Sequence, residues 1–383
     1  MTDLYLLSVI IFFAVLAILI YFDRKNIEFK YILIMRRTKR FKSAINNIAK
    51  SSPKFWKILS TIAIIICFYY MAQGILSLSI TTYLISIGKI IGPPLAIILP
   101  TPSPVGATGP GYFLIPFWFW IITVAVILIP HELMHGIIAR AEKIPLKSVG
   151  LLLLAIFPGA FVEPNENKLK KAKLLTKLRV FAAGSFANFA LAAIIFSLAT
   201  FVIWPAATEP AISLSLTTVN ASSPAELAGL KPNMSITEIN GKQITTSYFE
   251  SLSGNFLSEE LKGVNVSQTI SVKANETLFN VTLGLHPETN TTYMGIVYEY
   301  SSIFKPWAKP FMSSLLPLLL MLWLFSFGVG LFNILPIYPL DGGLMVEAIL
   351  EKFSKKNAKH IVKTITYFVL MIIIFNFIGP SLL

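Results

Sequence analysis

The chain has 383 residues, 55% of them hydrophobic, with 32 lysines and arginines against 19 acids and a formal charge of +13. The apolar residues gather into runs of about the ~17–25 residues that a helix needs to cross hydrocarbon, which excludes an ordinary soluble enzyme whose helices keep a polar face. The charge does not mark a nucleic-acid binder, because 25 of the 32 basic residues fall in three segments beside those runs, 24–57, 140–179 and 352–363.

In chain order, residues 4–22, 58–80, 113–129, 180–204, 311–332 and 361–378 are the six predicted spans. The first is read as a retained span. Met1-Thr-Asp carries no positive side chain, and no small-residue cleavage site precedes Asp23-Arg-Lys, so it does not fit a secretory leader. By the positive-inside rule the three basic segments are cytoplasmic, and residues 205–302, with nine glutamates against four lysines, are outside. The six spans alternate only if residues 81–100, broken by Gly92-Pro93-Pro94, do not cross, so a re-entrant or interfacial segment is expected there. The single cysteine, Cys67, allows no intramolecular disulfide.

Between the fourth and fifth spans the composition turns to Ser, Thr, Asn and Gly. Short alternating stretches such as Thr269-Ile-Ser-Val-Lys and Phe279-Asn-Val-Thr-Leu predict a β-rich domain there. Asn240-Gly241 predicts a tight hairpin turn. The stretch from Ser223-Pro-Ala-Glu-Leu-Ala-Gly to Asn240-Gly-Lys resembles the core of a PDZ domain, with Asn233-Met234 where that family has Gly-Asp. Asparagine is the next most tolerant residue of a left-handed backbone. A carboxylate-gripping Gly-Leu-Gly-Phe loop is not recognisable, so the segment is either a peptide binder by strand addition or a spacer limiting which ectodomains approach. Six Asn-x-Ser/Thr triplets begin at Asn220, Asn233, Asn265, Asn275, Asn280 and Asn290, all on the side assigned as external.

The chemistry-bearing motif is His131-Glu-Leu-Met-His135, at the inner end of the third span after Pro130. Residues four apart share one helical face, so two imidazoles can converge on a metal with Glu132 beside it. Zinc suits such a set, because it brings a bound water to a pKa near ~7 and a neighbouring carboxylate can take the proton. The alternative is a histidine pair that packs or binds a lipid headgroup. Histidines and a carboxylate at a span's end are, however, functional by default. A catalytic zinc needs a third protein ligand and an open position. The chain's aspartates are Asp3, Asp23 and Asp341, and the first two flank the first span. Asp341 lies in Asn333-Ile-Leu-Pro-Ile-Tyr-Pro-Leu-Asp-Gly-Gly343, where two prolines break the helix and two glycines permit close backbone approach. It follows an inward-running span, as do the histidines, so all three are expected at one depth. Glu163 and Glu347 are the fallback ligands.

These residues resemble the site-2 proteases, the family of intramembrane zinc metalloproteases. The resemblance rests on His131-Glu-x-x-His135, the stretch from Asn333 to Gly343, Phe157-Pro-Gly-Ala-Phe-Val162 and Ala183-Gly-Ser-Phe-Ala-Asn-Phe189. It implies a zinc ion held by His131, His135 and Asp341, Glu132 as the catalytic base, and Asn333 as a donor to the substrate carbonyl or oxyanion. It also implies that Phe157, Pro158 and Gly159 offer a sheet edge to an extended substrate. Ser185 and Asn188 share a face toward the site, Asn188 as a further substrate contact or an interhelical hydrogen-bonding group.

The expected architecture is therefore a mainly α polytopic membrane protein of about six transmembrane helices, with a re-entrant segment and an inserted β-rich PDZ-like domain. Its divisions are residues 1–110 (N-terminal transmembrane region), 111–204 (catalytic half with the histidines), 205–304 (extracytoplasmic domain) and 305–383 (catalytic half with Asp341). The expected activity is hydrolysis of peptide bonds in transmembrane segments of membrane-anchored, regulatory proteins. The expected partners are those substrates, the lipid bilayer and an upstream protease that trims ectodomains. A catalytically silent membrane scaffold and a metal transporter are the competing readings. The first has no use for Glu132, and the second needs polar steps along several spans.

Overall fold

Helix formation follows the long apolar runs. In the computed structural model, which describes residues 2–31, 33–154, 157–210, 212–245, 256–261, 263–286, 291–301 and 304–381, six helical stretches are long and apolar enough to cross a membrane. Contacts divide the chain into two units, Met1–Phe196 with Leu318–Leu383, and Ser197–Pro317.

The first unit opens with α1 (Thr2–Asp23), the hairpin strands β1 (Ile27–Lys30) and β2 (Leu33–Arg37), and the amphipathic α2 (Lys39–Ser51), which buries Ile45 and Ala49. The next helix, α3 (Pro53–Ser86), begins on a proline, whose missing N–H is no loss at a helix start. Strands β3 (Ile97–Thr101), β4 (Ala107–Gly109) and β5 (Tyr112–Pro116) form a small sheet in which β3 and β5 run parallel. Helix α4 (Phe117–Ala141) continues through Pro130 and carries both histidines of the motif. Strands β6 (Leu146–Leu154) and β7 (Phe157–Pro164) pair antiparallel and extend the first hairpin into a sheet of order β1-β2-β6-β7, leaving β7 at an edge. Helix α5 (Glu166–Lys170) follows, capped by the Asn165 side chain, and leads to α6 (Leu174–Leu198).

The chain then passes through a π-helical turn (Ala199–Ile203) and α7 (Trp204–Ala207). The second unit holds β8 (Leu214–Val219), α8 (Pro224–Leu227), β9 (Ser235–Ile239), β10 (Lys242–Gln243), α9 (Phe256–Glu260), β11 (Thr269–Ala274), β12 (Thr277–Thr282), β13 (Gly284–Leu285), β14 (Thr292–Tyr293) and β15 (Ile296–Tyr300). Its main sheet runs β12-β11-β9-β8-β15, and alternate residues Leu214, Leu216, Ile270, Val272 and Val281 make its core. The turn from β9 to β10 uses Asn240 and Gly241 at φ 52° and 76°, and Asn233 stands at φ 68°. These are the left-handed positions that the residue types predict.

The chain closes with α10 (Lys309–Ile334), α11 (Asp341–Phe353) and α12 (Ala358–Ile378). In the first unit, one core cluster joins α2, α4, β6 and α6 through Ile45, Ile138, Val149, Val180 and Ala183. Another joins α3, α6, α10 and α11 through Cys67, Ala182, Phe189, Ile334 and Met345.

Two helix bounds are corrected. Residues 81–86 continue α3 and residues 97–101 form β3, and no separate spanning helix lies in this stretch. The third span begins at Phe117 rather than at residue 113, because residues 113–116 pair with β3. The four-stranded sheet of the first unit has Phe157, Pro158 and Gly159 on its edge strand β7, and its strands share no single pattern: Ile27-Glu-Phe-Lys30 of β1 alternates, whereas residues 149–154 of β6 are almost wholly apolar. The triplet at Asn290 lies outside the described residues.

Ile236, 0% exposed in the β9 core, tests the second unit. Ile236→Ala is expected to destabilise that unit by about 2–5 kcal/mol, seen as faster proteolysis within residues 197–317 of the full-length protein. Unchanged protection would contradict this packing.

Candidate metal centre

Helical periodicity sets His131 and His135 one turn apart on the buried face of α4. Their Nε2 atoms lie 3.3 Å apart. Asp341, the first residue of α11, brings its carboxylate to the same point, with Oδ1 3.3 Å from His135 Nε2 and Oδ2 3.6 Å from His131 Nε2. Bonds of about 2.0–2.1 Å in a tetrahedral zinc site imply ligand separations of about 3.3–3.4 Å. The contacts of the carboxylate with the two imidazoles, made through a different oxygen for each, lie at or slightly above that spacing. Among the described residues, this is the group of His, Cys, Asp or Glu side chains able to hold a metal.

The rest of each donor is held as a metal ligand requires. His135 Nδ1 lies 2.7 Å from the Val180 carbonyl on α6, so it carries the proton and Nε2 presents its lone pair inward. His131 Nδ1 lies 3.0 Å from the side-chain amide of Asn188, a fully buried residue of α6. With Nε2 facing a cation, Nδ1 of His131 also carries the proton and needs an acceptor. The carbonyl oxygen of Asn188, reached by a half-turn of its amide, supplies it. The same turn gives that oxygen a partner, which it otherwise lacks in its buried position. The Asn188 backbone carbonyl is itself held by Ser326 Oγ at 2.9 Å, and Ser185 Oγ donates to Asp341 Oδ2 at 2.9 Å.

Glycines make the convergence sterically possible. A Cβ on Gly184 of α6 would lie 2.2 Å from His135 Nε2 and 2.5 Å from His131 Nε2, inside the space between the donors. A Cβ on Gly342 would meet the Ile334 carbonyl oxygen at 1.9 Å, and one on Gly343 would meet the Ile337 carbonyl at 2.5 Å. The start of α11 can therefore rest directly on the backbone that leaves α10, which carries Asp341 inward.

Glu132, next to His131, accepts a hydrogen bond from the Val162 N–H of β7 at 3.1 Å. That contact turns even-numbered residues of β7 to the open edge, so Pro158, Ala160 and Val162 face outward while Gly159 and Phe161 bond to β6. The Phe157 side chain lies outside the described residues. Pro158 and Gly159 line an apolar cavity of about 670 Å³ together with Phe12, Leu16, Ile121 and Leu152. Asn333 occupies the last turn of α10, half-buried, and its amide bonds to no other described residue. Glu163 is engaged by Lys147 and Ser148, which hold its carboxyl below the ordinary range. Sequence reasoning missed two parts. The Val180 carbonyl has no side-chain signal, whereas Gly184 had one: a glycine within a helix costs about 1 kcal/mol against alanine and needs a packing reason.

A family model described as Peptidase family M50 matches residues 119–377. The chain is 27% identical over 359 residues to the uncharacterized protein MJ0971 of Methanocaldococcus jannaschii, covering 90% of this chain and 86% of that protein. It is 31% identical over 129 residues to the membrane-bound transcription factor site-2 protease homolog of Arabidopsis thaliana, covering 32% of this chain and 24% of that protein.

Gly184→Ala is expected to leave the helix intact and abolish metal binding, measured as zinc per chain in purified protein. A zinc content equal to that of the native protein would contradict the placement of α6 against the donors.

Proposed function

The chain belongs to peptidase family M50, and from that premise we propose that it is a zinc endopeptidase cleaving transmembrane segments of membrane-anchored regulatory proteins. The observation that carries this reading is the convergence of His131, His135 and Asp341 from two helices of an integral membrane protein, with contacts of 3.3–3.6 Å between their polar atoms.

His131, His135 and Asp341 would hold the ion. Bound there, zinc supplies Lewis acidity, polarising a carbonyl and making water a nucleophile near neutral pH. Glu132 takes the proton from the attacking water and delivers it to the leaving amine. Its present partner, the Val162 N–H, sits on the β7 edge, so the base and the substrate strand share one anchor point. An unwound substrate segment added along that edge meets the Ala160 backbone and the Val162 carbonyl, with Pro158 ending the run of donors. The apolar cavity beside Pro158 and Gly159 offers room for flanking side chains. Strand addition is needed because a helical segment hides its peptide bonds. Asn333, its amide uncommitted, is suited to donate to the carbonyl as charge develops there. Asn188, bound to His131, orients a ligand and does not reach substrate in this reading.

The basic segments 24–57, 140–179 and 352–363 support a cytoplasmic position for the ligand-bearing helix ends and an external one for the second unit. Within that unit, a short helix at residues 224–227, the left-handed Asn233 and the β9–β10 hairpin support a PDZ-like reading. Its strands would select substrates already shortened by an upstream protease. No feature favours a silent scaffold, which has no need of Glu132.

Purified protein is expected to carry about one zinc per chain, lost in His131→Ala. Glu132→Gln is expected to retain zinc and to cleave a panel of single-span substrates about 10²–10⁴-fold more slowly. Equal cleavage by the native protein and Glu132→Gln would remove the protease reading.

A further inference from the structure

Below the donors, α3, α4 and α6 are tied together by a buried ion pair that the reaction does not use. Glu142 caps the C-terminal end of α4, and its side chain is 7% exposed. One carboxylate oxygen accepts from Arg179 Nη1 at 2.6 Å and the other from Thr176 Oγ1 at 3.0 Å, both on α6. Arg179 continues to α3, where Nε and Nη2 reach Thr61 Oγ1 at 3.1 and 2.9 Å. Lys57 Nζ stands 3.8 Å from Glu142 and is more than a third exposed.

The position of this cluster matters more than its charge. Glu142 follows His135 by seven residues, two helical turns or about 10 Å along the same face of α4. Arg179 is the peptide neighbour of Val180, whose carbonyl receives the His135 Nδ1 proton at 2.7 Å. The α4–α6 interface therefore carries two polar links in series, one to the metal ligand and one to the ion pair. The third helix is held too, since Cys67 Sγ of α3 contacts the Ala182 carbonyl of α6 at 3.4 Å. Buried ion pairs are often no better for stability than apolar packing, so a role in placing α4 accounts for this one better than a role in holding the fold.

We propose that Glu142 and Arg179 are positioning residues of the metal centre: their ion pair, anchored on Thr61, sets the separation of α4 and α6 on which the His135–Val180 hydrogen bond depends. This rests on the metal-centre reading, which the zinc content of the native protein tests separately. Removing the hydrogen-bond partner of a metal ligand typically lowers metal affinity 10–100-fold, and a residue acting one step further out is expected near the lower end.

The test is zinc affinity by chelator competition in full-length, detergent-solubilised protein, with cobalt-loaded absorption spectra as the report on ligand geometry. Arg179→Met and Glu142→Gln are each expected to weaken zinc about tenfold and to shift the cobalt bands. The double variant is expected to be no worse than either single one. Arg179→Lys, able to pair with Glu142 but not also with Thr61, should recover part of the loss. Lys170→Met, which breaks the exposed Lys170–Glu166 pair, should leave affinity and spectra unchanged. Native-like zinc affinity and cobalt spectra in folded Arg179→Met and Glu142→Gln, or losses that simply add in the double variant, would overturn the proposal. If Arg179→Met does not fold, Glu142→Gln, which keeps its shape and its bond to Thr176, decides alone. A native protein that binds no zinc would instead overturn the metal-centre reading and this proposal with it.

Discussion

Two imidazoles and a carboxylate converge with contacts of 3.3–3.6 Å between them, and they can do so only because the surrounding helices pack without side chains in the way. Helix α6 has no side chain at Gly184, where a single methyl group would occupy the space between the histidines. Helix α11 has none at Gly342 and Gly343, where the chain leaving α10 presses against it. The small residues therefore place the reactive ones. Ser185, Asn188 and the Val180 carbonyl then fix which atom of each donor faces inward.

The same arrangement is costly without a cation. Taking a carboxylate out of water carries a penalty of several kcal/mol unless it is paired and hydrogen-bonded, and Asp341 is only 11% exposed. Neutral imidazoles offset part of that penalty and a divalent ion offsets more. The outer hydrogen bond of His135 matches the protonation that metal ligation imposes, and that of His131 does so once the Asn188 amide is turned. Glu132 is held by the β7 edge, so in the proposed reaction the proton acceptor and an added substrate strand would be coupled through one strand.

Much of this was legible in the residues. Six apolar runs gave the six long helices, and a four-residue histidine spacing gave the shared helical face. The two glycines after Asp341 announced a close backbone approach, which the start of α11 makes. Asn240-Gly241 and Asn233 fell at left-handed positions. What escaped was information that residue types do not carry. The four-stranded sheet joins short strands from separate parts of the chain, and the apolar run of β6 hides in composition among the spans. The Val180 carbonyl is backbone, and the partnership of Glu142 with Arg179 joins positions 37 residues apart that only packing brings together. Residues 81–86 were misassigned because a glycine and two prolines beyond them overshadowed the apolar run they extend.

The central claim is that one zinc ion is held jointly by α4 and α11. X-ray absorption at the zinc edge of the purified, full-length protein tests it most directly. The account predicts a low-coordinate oxygen and nitrogen shell at about 2.0–2.1 Å, with the outer scattering of two imidazoles. That signal should fall to one imidazole's worth or vanish in His135→Ala, and it should change in its oxygen component in Asp341→Asn. A zinc shell without imidazole scattering, or one untouched by Asp341→Asn, would contradict it.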